Sequence, residues 1–236
     1  MGHVIGMPTT GWNATPVRPR MASPERFIRS VRHNKMNEDQ RKTILSTADT
    51  IGDHLAWAWN YIATLRALQR HARRCPEVFD KHAHFVSTLT YSIWDALFLK
   101  LNHCTDKRKE AIGFPRLFKQ IRKYLEPQAA PVSKIDDHEG ELDALRAKDK
   151  VANWRNRVVA HYTLHDEHAA FFEDNVCSFD EIEELISRYQ KLLNFYAFEL
   201  FDMQFMVKDF GPKAHEAIDQ VFAALCAEQG HEEGRS

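Results

Sequence analysis

NEDQRKTILSTADTIGDHLAWAWNYIATLRALQRHARRCP, residues 37–76, carries one unbroken helical period. Asn37 stands where a cap belongs, and Gln40 sits three residues on, in the reciprocal position of a capping box. Behind them Ile44, Ala48, Ile51, Leu55, Ala58, Ile62 and Leu65 recur at steps of four and three, the spacing of one helix face. Arg66, Arg70, Arg73 and Arg74 crowd the far end, where cations suit the helix dipole, and Cys75-Pro76 stops the helix. A single amphipathic helix of this length needs other helices to cover its apolar stripe, so this stretch sets the fold class.

The same periodicity continues outward. A second long helix is expected over residues 77–104, with Val86, Leu89, Ile93, Leu97 and Leu101 inward. A third, short helix follows Gly113 with Leu117, Phe118, Ile121, Tyr124 and Leu125, and Pro127 ends it. Residues 127–138 read as a connector. A fourth helix spans about 139–162, its stripe being Leu142, Leu145, Ala152 and Val159, with Asp149 and Asn156 on the same stripe. Ser178-Phe179-Asp180-Glu181 is another capping box, opening a helix through Ile182, Leu185, Tyr189, Leu192, Tyr196, Met203 and Val207 until Gly211-Pro212. A last helix carries Ile218, Val221 and Leu225. With only 9 Gly and 9 Pro, and no strand pattern or internal repeat, the expectation is an all-α bundle of five to six helices. Residues 1–36, broken by Pro8, Pro16, Pro19 and Pro24, read as a flexible or extended tail. Residues 37–229 then form one helical domain and 230–236 a frayed end.

Composition narrows the function classes. Hydrophobic residues at 44% and charged residues at 28% describe an ordinary globular chain. No apolar run approaches the roughly 18 residues of a membrane span, and no signal-peptide core is visible. The four cysteines, Cys75, Cys104, Cys177 and Cys226, form no CxxC pair and read as reduced thiols of a cytoplasmic protein. The net charge of -1 hides an asymmetry: residues 60–125 hold 13 Lys and Arg against 5 acids, residues 164–236 hold 5 against 16. A basic half beside an acidic half fits a polyanion-facing surface, complementary dimer faces, or simply solvated helix surfaces.

The chemistry concentrates in Trp154-Arg155-Asn156-Arg157-Val158-Val159-Ala160-His161. An Arg supplies a fixed charge, an amide can orient a neighbour, and a His exchanges a proton near neutral pH. The plain alternative is that Arg157 and His161 are only favourable cations near a helix C-terminus. Arg155-Asn156 followed by His161, with five residues between Arg and His, resembles the motif of the HEPN superfamily. The layout over about residues 38–205, with Trp94-Asp95-Ala96-Leu97-Phe98 on the second helix, resembles its abortive-infection U-type branch.

That resemblance implies metal-independent RNA cleavage by a homodimer whose two motifs line one composite cleft. The 2′-hydroxyl attacks the adjacent phosphorus, leaving 2′,3′-cyclic phosphate and 5′-hydroxyl ends. His161 then handles protons, Arg155 meets the charge on the phosphoryl oxygens, and Asn156 holds the imidazole or a phosphate oxygen. Asp95 is a candidate orienting residue for His161 or Arg155. A toxin or phage-defence role follows, with a protein antitoxin as candidate partner. The alternative is a catalytically silent HEPN dimer that binds RNA or protein. Six ideal helical steps leave Arg155 and His161 roughly 120° apart, so either the helix loosens near Ala160 or the second protomer completes each cleft.

Other constellations are weaker. His161, His165 and His168 have helical spacing, but without an HExxH pattern or a Cys pair neither metal nor cofactor is expected. Arg66, Arg70, Arg73, Arg74, Arg116, Lys119, Arg122 and Lys123 are candidates for guiding RNA.

Overall fold

In the computed structural model, residues 36–156, 177–205, 216 and 218–226 are described. All regular structure among them is helical: α1 (Glu38–Arg74), α2 (Pro76–Lys81), α3 (Ala83–Thr105), α4 (Phe114–Tyr124), α5 (Ala130–Ser133), α6 (Ile135–Asp143), α7 (Arg146–Trp154), α8 (Phe179–Phe201) and α9 (218–226). The all-α expectation holds, with more and shorter helices than expected. The tails at 1–35 and 227–236 lie outside the described residues.

α1 is the axis of the bundle. Asn37 Oδ1 accepts from the Gln40 backbone N–H at 2.9 Å, and Gln40 Oε1 accepts from the Asn37 N–H at 3.0 Å. The anticipated stripe is buried from Ile44 to Leu65, and α3, α4 and α8 pack around it. Each Ile and Leu of the stripe contributes roughly 1.5–3 kcal/mol by leaving water.

The differences from the sequence reading have geometric causes. The second helix is broken at His82, so α2 and α3 run separately. Only the C-terminal half of α3 is buried, through Leu97, Phe98, Leu101, Asn102 and Cys104. Val86, Leu89 and Ile93 are no more than half-buried, and Phe85 and Tyr91 are exposed. The connector at 127–138 holds α5 and the start of α6.

The single fourth helix is two helices, α6 and α7, separated by Ala144 and the extended Leu145. The buried residues explain the break. Leu142 and Val151 both face the core, yet nine steps of an unbroken helix would place them on opposite sides. Asp149 and Asn156 are accordingly exposed rather than on a core-facing stripe.

α8 begins at its capping box, with Glu181 N–H to Ser178 Oγ at 3.1 Å and Ser178 N–H to Glu181 Oε2 at 2.8 Å. It ends at Phe201 because Asp202 takes a left-handed conformation (φ 54°), one of the residue types that tolerates it. Met203 therefore lies beyond the helix, and Val207 and Gly211-Pro212 lie outside the described residues. The chain folds back so that Phe205 covers Gly52 of α1, where a Cβ would stand 2.9 Å from the ring. The Asn194 amide holds this return, accepting from the Phe205 N–H at 2.7 Å.

α9 presents Phe222, not Val221, to the bundle. Phe222 stacks on His71 and Phe79, with centroids at 5.2 and 5.0 Å. Asp219 accepts from His71 Nε2 at 2.7 Å. These contacts bring Cys226 to Cys75, and the two are disulfide-bonded, with Cα atoms 6.4 Å apart. The expectation of four reduced thiols is thus corrected for this pair. Cys104 and Cys177 are buried thiols outside that disulfide, and burial raises the Cys177 thiol to about 11.

Candidate functional site

α7 ends where the motif begins, and three contacts hold that end in place. The Trp154 indole N–H donates to Asp95 Oδ1 of α3 at 3.0 Å. The Trp154 ring meets Phe98 edge-on at 5.1 Å. One turn earlier, Lys150 Nζ donates to Glu181 Oε1 at 2.8 Å, joining α7 to the capping box of α8. The helix is therefore fastened to both of its neighbours immediately before Arg155.

At Arg155 and Asn156 the helix widens from α to π winding. A wider turn of this kind is frequent at functional sites. It begins at Arg155; Ala160, where loosening was one alternative to a cleft completed by the second protomer, lies outside the described residues. Arg155 is half-buried and Asn156 exposed. Arg155 Nη1 donates to Asn156 Oδ1 at 2.8 Å, so the amide oxygen steadies the guanidinium beside it. Asp95 is committed through one oxygen to Trp154, the residue before Arg155. His161, Arg157, His165 and His168 lie outside the described residues.

Two histidines that the sequence reading passed over belong to this neighbourhood. His103, near the end of α3, lies within reach of the Arg155 charge. Its ring meets His54 of α1 at 5.2 Å between centroids, tilted by 52°. Burial, first of all, holds His103 below the usual histidine range, and the charges of Lys100, Arg108 and Arg155 add to this against an opposing Asp106. Burial likewise lowers His54 to about 4, aided by Lys100 and His103. Asp106 is held below the ordinary carboxylate range by its hydrogen bonds to Arg108, whose Nε donates at 2.8 Å, and Arg155 reinforces the effect. Local spacing carries no signal for this group, because its members come from α1, α3, the following loop and α7.

Several cations that looked free for RNA are engaged within the protein. Arg66 pairs with Glu183 at 2.6 Å and Asp180 at 3.0 Å. Arg70 stands 3.7 Å from Asp219, and Arg122 pairs with Asp136 and Glu139. Arg116, Lys119 and Lys123 remain on the exposed side of α4. Among the described residues, no three His, Cys, Asp or Glu side chains converge as metal ligands, and no helix is long and apolar enough to cross a membrane.

Comparison with family models gives the class of this bundle. The model described as AbiU2, a HEPN family, matches residues 42–221. The chain belongs to this abortive-infection HEPN family. No curated protein and no solved structure matches it.

Proposed function

We propose that the protein is a metal-independent endoribonuclease of HEPN type, a toxin or phage-defence effector acting as a homodimer with a composite cleft. One observation carries the reading. In a chain of this family, Arg155 stands half-exposed at a π-wound turn that Trp154, Asp95, Lys150 and Glu181 brace from both sides.

In the reaction the RNA 2′-oxygen gives up its proton and attacks the adjacent phosphorus, while the bond from phosphorus to the 5′-oxygen breaks and that oxygen gains a proton. Arg155 meets the charge growing on the phosphoryl oxygens, for which a permanently charged planar donor is well suited. Asn156 keeps the guanidinium aimed, and His161 moves the protons, a contribution of typically about 10²–10⁴-fold. Cellular RNA as substrate places the protein in the cytoplasm, where the thiol pool works against the Cys75–Cys226 bond.

The test is incubation of purified protein with a mixed RNA pool in chelator, beside Arg155→Ala and His161→Ala, with analysis of fragment ends. Cyclic phosphate ends made by the parent and lost in both variants support the reading. Cleavage that survives both substitutions refutes it. A folded dimer that cuts no RNA points instead to a silent binding module with a protein partner.

A further inference from the structure

The Cys75–Cys226 bond joins unequal partners. Cys75 caps α1, a helix of 37 residues with a buried stripe, and its backbone N–H donates to the His71 carbonyl at 2.9 Å. Cys226 ends α9, and of the nine residues 218–226 Phe222 alone is buried. A helix that short does not hold itself in water, where about 12–15 residues are needed. Its place depends on what ties it to the end of α1.

The ties lie in register. His71 and Cys75 are four residues apart at the end of α1, and Asp219 and Cys226 are seven apart on α9, so each pair shares one helix face. His71 Nε2 meets Asp219 Oδ1 at 2.7 Å, and the disulfide closes the other end. Phe222 sits between, stacked on His71 and Phe79. Arg70 stands 3.7 Å from Asp219, but both expose more than two fifths of their side chains, and a pair so exposed adds little. The strongest of these ties is the covalent one, and it is also the one that chemistry can undo. Cys75 and Cys226 are half-buried, whereas Cys104 and Cys177 are buried, and thiol exchange follows access.

We propose that the Cys75–Cys226 pair is an exchange site for small thiols of the glutathione class, and that its opening undocks α9 from the end of α1. A thiolate attacks one sulfur of the pair, the S–S bond breaks, and the other sulfur leaves as a thiolate that takes a proton. A second small thiolate attacks the mixed disulfide, freeing the remaining protein sulfur and one molecule of small disulfide. The protein pair gains the two electrons that the two small thiols lose. The reverse sequence, with the small disulfide as oxidant, closes the clasp. Opening uncovers Phe222 and the rings of His71 and Phe79, and leaves the bundle standing, because the stripe from Ile44 to Leu65 stays buried under α3, α4 and α8. No residue of the Arg155 motif takes part, so the clasp stands apart from the ribonucleolytic reading.

The experiment equilibrates the full chain, without denaturant, in glutathione buffers from fully oxidised to fully reduced. Alkylation and mass mapping give the fraction of Cys75 bonded to Cys226, with Cys104 and Cys177 as covered references. Hydrogen exchange of the α9 amides is followed in the same samples. As the bond opens, α9 exchange is expected to quicken by about thirtyfold or more, the lower end of what losing such a tie costs. The amides of α1 and α8 remain protected. Cys75→Ser/Cys226→Ser shows the fast α9 exchange in every buffer.

A bond that glutathione opens only after unfolding in urea would overturn the proposal, as would thiols that stay unpaired in fully oxidised glutathione. So would α9 exchange that is equal in the bonded and reduced forms. Protection lost from α1 and α8 together with α9 would do the same, by making the bond a support of the whole fold.

Discussion

Replacing Gly113 by alanine places a methyl carbon 2.3 Å from the His103 carbonyl oxygen and 2.5 Å from that of Cys104. Gly113 has extended backbone angles open to any residue, so the obstacle is close approach and not conformation. The obstructing atoms are backbone at the end of α3, which cannot rotate away as a side chain would. To reach even 3.0 Å, α4 and its leading loop must retreat from α3 by roughly 0.7 Å, which opens the packing of Phe114 and Leu117. Overpacking of this kind costs about 1–3 kcal/mol, and the rigid obstacle places it at the upper end. With a urea slope of roughly 2 kcal/mol per molar, the midpoint falls by about 1 M.

Gly140 supplies the control. It lies within α6 with nothing within 4 Å of where a Cβ would stand, so Gly140→Ala relieves only backbone entropy and stabilises by about 0.5–1 kcal/mol. Urea unfolding followed by far-ultraviolet circular dichroism reads both. A Gly113→Ala midpoint at or above that of the parent, or two substitutions that move it in the same direction, would refute the close-approach argument.

Cys226→Ser, or full reduction, removes the link between α1 and α9 and should lower stability by roughly 2–5 kcal/mol; an unchanged melting temperature under reductant would contradict the pairing. Phe205→Ala uncovers Gly52 and should cost about 3–5 kcal/mol, whereas Asn194→Ala, which releases the Phe205 backbone N–H, should cost about 1–3 kcal/mol; denaturation midpoints rank the two. His54 has a folded pKa of about 4 against an ordinary 6.5. The folded state thus binds fewer protons, and its stabilising contribution is present above 6.5 and lost as the pH falls towards 4. Between about pH 7 and pH 4.5 the parent should lose roughly 1–3 kcal/mol more than His54→Gln, and parallel stability curves would rule this out.

Local signals were readable and distant ones were not. Both ends of α1 are written in neighbouring residues, a capping box at one and Cys75-Pro76 at the other, and the same holds for the start of α8. The family emerged from Arg155, Asn156 and His161 because these lie within one short stretch. By contrast, the break between α6 and α7 satisfies core contacts made by Leu142 and Val151 with other helices, so apolar spacing within the segment favoured continuity. Asp202 ends α8 by adopting a conformation that most aspartates do not take. His54 and His103 meet only because α1 and α3 pack, and Cys75 reaches Cys226 across a separation of 151 residues. The anticipated role of Asp95 illustrates both sides: its place beside the motif was legible from the layout, its commitment to Trp154 was not.

The Cys75–Cys226 bond makes a covalent ring of everything between them, α2 through α9, and leaves the whole of α1 outside it. A protease that nicks the ring once produces two pieces that remain one molecule. On a non-reducing gel the nicked protein keeps its mass; after reduction it separates. α1, by contrast, is joined to the ring by one peptide connection at Arg74 and otherwise by noncovalent contacts: its packing on α3, α4 and α8, the Arg66 pairs with Asp180 and Glu183, and His71 against Asp219 and Phe222. A cut there would turn the central rod into a peptide ligand of a closed hoop, held in place by the stripe from Ile44 to Leu65 and by the contacts of Arg66 and His71.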